Sequence, residues 1–78
     1  MYYSETYRVG DTYCREVCVW RVTDQNERVI EYAAPNDLTG ILVGKAILFN
    51  CHWPGDCGFK IEVQRELGGG WVVMEEQY

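Results

Sequence analysis

Apolar positions along this chain switch between a period of two and a period near 3.6, and the switches lay out its elements. Val17, Cys18, Val19, Trp20, Arg21, Val22 and Thr23 form a β-branched and aromatic run, the composition of a strand. Asp24, Gln25, Asn26 and Glu27 follow as turn formers, and Arg28 to Ala33 returns as a second strand, Arg28 and Glu31 permitting one wet face. Upstream, Glu5 to Val9 offers a further strand, with Gly10 and Asp11 as its turn.

The period then lengthens. Asn36 and Asp37 stand before Leu38 as helix N-cap residues, whose side chains satisfy free backbone N–H groups. Leu38, Leu42, Ala46, Phe49 and Trp53 recur at helical spacing and Pro54-Gly55 ends the pattern, which predicts a helix over about 38–51. Gly40 and Gly44 oppose it, each costing about 1 kcal/mol relative to Ala in a helix interior. Two strands, Ile41 to Val43 and Ala46 to Phe49 around Gly44 and Lys45, are the alternative. Phe59 to Gln64 alternates strictly, placing Phe59, Ile61 and Val63 on a buried face,. Leu67 to Gly70 is a glycine turn, and Trp71 to Glu75 closes a second hairpin. The order is ββαββ. It predicts an α+β fold, a small antiparallel sheet of two hairpins with one helix packed on one face.

The 78 residues suffice for a single domain, 1–78, and leave it short of core unless a staple, a metal or self-association adds stability,. Self-association has a candidate surface. With the Leu38, Leu42, Ala46 and Phe49 stripe on the sheet, Gly40, Val43, Gly44 and Ile47 face elsewhere, and two glycines four apart form a flat strip for a helix of a second copy.

A net charge of -5 repels phosphate backbones and anionic lipid, so a protein with a basic surface is the expected partner, with no direct nucleic-acid or membrane contact,. The first residues lack the blocks of a signal peptide, and no apolar run approaches the roughly 18 residues of a membrane span. A cytoplasmic location is the expectation, and with it reduced thiols.

Of the four cysteines, Cys14 and Cys18 are four apart on or beside a strand, where about 13 Å separates them, too far for a shared metal or a disulfide,. Cys51 and Cys57 bracket a turn and, with His52, form a candidate metal set that needs a fourth ligand from elsewhere. A disulfide between them, or a small redox module on the same three residues, is the other option. His52 is the sole histidine. It lacks an orienting third group for Cys–His catalysis and fits a helix C-terminus instead. The glycines at 68 to 70 precede no Lys-Ser or Lys-Thr and so form no phosphate loop. No enzyme activity and no cofactor are expected.

Glu62 and Glu66 share strand parity, and Glu75 and Glu76 end the neighbouring strand, so the last hairpin carries a candidate carboxylate patch for Lys or Arg of a partner. Tyr2 and Tyr3 are candidate aromatic anchors beside it, whereas Tyr7 and Tyr13 fit packing on their own sheet.

Ala33, Ala34, Pro35, Asn36 and Asp37 before the helix, then Pro54-Gly55, a strand, and Gly68-Gly69-Gly70 ahead of Trp71, Val72 and Val73 make a pattern over residues 17–76. It resembles small phage-encoded proteins, among them anti-CRISPR inhibitors. The resemblance implies a compact, cofactor-free inhibitor that binds a bacterial nucleic-acid-binding complex and blocks its basic surface.

Overall fold

The computed structural model describes residues 7–9, 12–14, 17–66 and 68–78, with side chains described from residue 17 onward except at 67. Strands β1 (Tyr7–Val9) and β2 (Thr12–Cys14) pair antiparallel as a two-stranded sheet. Strands β3 (Val17–Asp24), β4 (Val29–Pro35), β5 (Phe59–Gln64) and β6 (Val72–Gln77) form an antiparallel sheet in the order β4-β3-β5-β6. Helix α1 (Leu38–Asn50) lies between β4 and β5 in the chain and packs on one face of that sheet. The α+β, ββαββ arrangement from residue 17 onward is the one the hydrophobic pattern predicts, and the alternative of two strands over 38–51 is not what the chain adopts.

The β3–β4 turn is fixed by its own residues. The Asp24 carboxylate accepts from the Asn26 N–H at 2.8 Å and the Arg28 N–H at 3.0 Å. Glu27 takes the positive φ of 62° that a tight turn demands,. Between β5 and β6, Gly68 supplies a φ of 76°, which glycine adopts without penalty,.

Helix α1 starts where its cap residue predicts, the Asp37 carboxylate accepting from the Thr39 N–H at 2.8 Å,. It stops in a Schellman arrangement. The Trp53 N–H reaches the Leu48 carbonyl at 3.0 Å and the His52 N–H reaches that of Phe49 at 3.1 Å, with His52 at φ 63°,. Leu48 and Trp53 then meet in the core, the apolar contact that accompanies this motif. His52 thus ends the helix through its backbone.

The face that α1 turns inward is not the predicted one. Gly40, Gly44 and Leu48 are buried, while Leu38, Leu42 and Phe49 are 66%, 59% and 61% exposed. The reason is Trp20. Its ring stands against Gly40 of the helix, donates through the indole N–H to the Ala34 carbonyl at 3.2 Å and stacks on Tyr32 with 6.3 Å between centroids. Any Cβ at Gly40 would collide with that ring, and one at Gly44 would meet the Tyr32 hydroxyl and Ile61. Tyr32 in turn donates to the Gly40 carbonyl at 2.7 Å. Large aromatics on the sheet therefore require small residues on the helix, as close packing dictates. Cys18, Val22, Ala34, Ile61 and Val63 complete the core, and Trp53 closes one end, edge-on to both Phe49 and Phe59.

Candidate protein-binding surface

The four carboxylates of the last hairpin that the sequence offers for recognition are divided by the structure. Glu62 does project from the sheet face opposite Phe59, Ile61 and Val63, but it is only 5% exposed. Its two oxygens accept from Arg21 Nε at 2.7 Å and Nη2 at 3.2 Å, and Lys60 Nζ lies 3.8 Å away. The Trp71 ring covers the same guanidinium at 4.1 Å, a cation–π contact that holds Arg21 in place. The hydrogen bond from Arg21 keeps the Glu62 carboxyl below the usual carboxylate range, and the same bond raises the guanidinium. Glu62 is thus a structural half of an ion pair rather than a free docking charge.

Glu75 is engaged too, its Oε2 lying 2.6 Å from Lys45 Nζ on α1. Glu76 is exposed and accepts from the Tyr78 hydroxyl at 2.6 Å, a bond that raises the pKa of that hydroxyl. Glu66 is exposed at the β5–β6 turn. Two of the four carboxylates therefore remain for a partner. Tyr2 and Tyr3 lie outside the described residues.

The proposed dimer strip is likewise occupied. Gly40 and Gly44 lie against Trp20, Tyr32 and Ile61 of their own chain, and Val43 and Ile47 are half-buried along the flanks of α1. A second helix cannot use backbone that the sheet already covers.

Cys51 is an exposed thiol at the helix end and Cys57 a half-buried one, and neither is in a disulfide. The loop between them is organised around a backbone carbonyl. The Trp53 indole and the Gln77 amide both donate to the Cys57 oxygen at 3.0 Å. Among the described residues, no group of three or more His, Cys, Asp or Glu side chains is placed to hold a metal ion. Cys18 is buried in the core, and the side chain of Cys14 is not among those described.

What the fold leaves uncovered is apolar. Leu38, Leu42, Ala46 and Phe49 form one continuous stripe along the outward side of α1, because residues three and four apart share a helix face. Lys45 is the only charged residue in the helix, and Glu75 holds it. The spacing of this stripe was legible in the sequence, but its direction was not.

No family model, curated protein or solved structure matches this chain. The described helix is not long and apolar enough to cross a membrane.

Proposed function

We infer that this chain is a non-enzymatic, cytoplasmic protein-binding domain that docks through the outward stripe of α1. One observation carries the reading: three large apolar side chains, Leu38, Leu42 and Phe49, stand about 60% exposed on a helix whose single charge is already paired. A contiguous exposed apolar patch marks a macromolecular contact, and insertion of a helix's apolar side chains into a groove is a recurrent recognition mode. Asp37 and Asn50 bound the stripe at its two ends, and the exposed Glu66 and Glu76 add negative charge elsewhere on the surface that favours approach to a basic partner,.

The resemblance to phage anti-CRISPR inhibitors supplies a target class for this reading, a host nucleic-acid-binding complex. With Glu62 and Glu75 neutralised by Arg21 and Lys45, inhibition of that kind would rest on occupation of an apolar groove, with the remaining carboxylates steering the approach.

The test is affinity capture from bacterial lysate with three forms of the chain, each checked for native circular dichroism. Wild type and a Glu66→Lys/Glu76→Lys variant should recover the same protein, the latter more slowly. Leu38→Lys/Leu42→Lys should lose it. Full recovery by the leucine variant would refute the stripe as the docking surface. Sedimentation of the same forms identifies a second copy as the occupant if wild type dimerises and the leucine variant does not.

A further inference from the structure

We draw no further inference here: the strongest candidate, the depression between the end of α1 and the end of β6 lined by Phe49, Trp53, Glu75 and Glu76, adjoins the α1 stripe already described, has its carboxylates bonded to Lys45 and Tyr78, and nothing in the structure shows what covers it.

Discussion

Along α1, Gly40, Gly44 and Leu48 meet the sheet while Leu38, Leu42 and Phe49 meet solvent. The inward face is mostly backbone because Trp20 and Tyr32 already fill the space between layers. The outward face carries the larger side chains although nothing in the described chain covers most of them. A helix is ordinarily oriented by its apolar stripe. Here it is oriented by steric fit, and the stripe is left facing solvent. The lesson is that hydrophobicity along a helix ranks its faces for burial only when every face can physically approach the partner layer.

The contrast breaks most visibly at Leu48. Truncation to Ala leaves a cavity in the core and should cost about 2–5 kcal/mol in urea denaturation, a large share of the stability of a domain this small. Gly40→Ala comes next and has a diagnostic sign. On an exposed helix this change stabilises by about 1 kcal/mol, whereas here the new methyl meets the Trp20 ring and should destabilise by about 1–3 kcal/mol through overpacking.

These two sites show what could be read from the chain and what could not. Strand and helix positions follow from local pattern: the alternation of Phe59 to Gln64, the Asp37 cap and the turn residues at 24–27 all act within a few residues. The inward face of α1 depends on Trp20, which reaches it only after β3 and β4 pair. The fate of Glu62 depends on Arg21, brought opposite by a β3–β5 pairing that skips over β4 and α1. The acidic residues are therefore legible in the chain, while the cations that pair with them, Arg21 and Lys45, are not. The exposed stripe is legible too, by its spacing, but that spacing assigns it to the core.

A smaller effect separates the paired from the free carboxylates. Glu62 is held below its ordinary 4.5 in the folded chain. Its contribution is complete above that value and is lost as pH falls through the lowered folded pKa. Glu62→Gln should cost about 1–2 kcal/mol at neutral pH, since the Arg21 partner is partly exposed,, and should flatten the decline below about pH 4.5. Asp24, lowered from 3.8 chiefly by the Arg28 backbone N–H, accounts for acid sensitivity that persists in that variant. Glu66→Gln, at an exposed site, should change stability at neutral pH by less than about 0.5 kcal/mol.

The smallest expected effect tests the orientation of α1 most directly. Leucine and lysine have similar helix propensity, so Leu42→Lys isolates burial from helix formation. Urea denaturation of Leu42→Lys should give a stability within about 0.5 kcal/mol of wild type, as at any exposed site. A loss of about 3 kcal/mol or more, the cost of charging a core position, would mean that the Leu38, Leu42 and Phe49 face packs on the sheet, and would contradict the account.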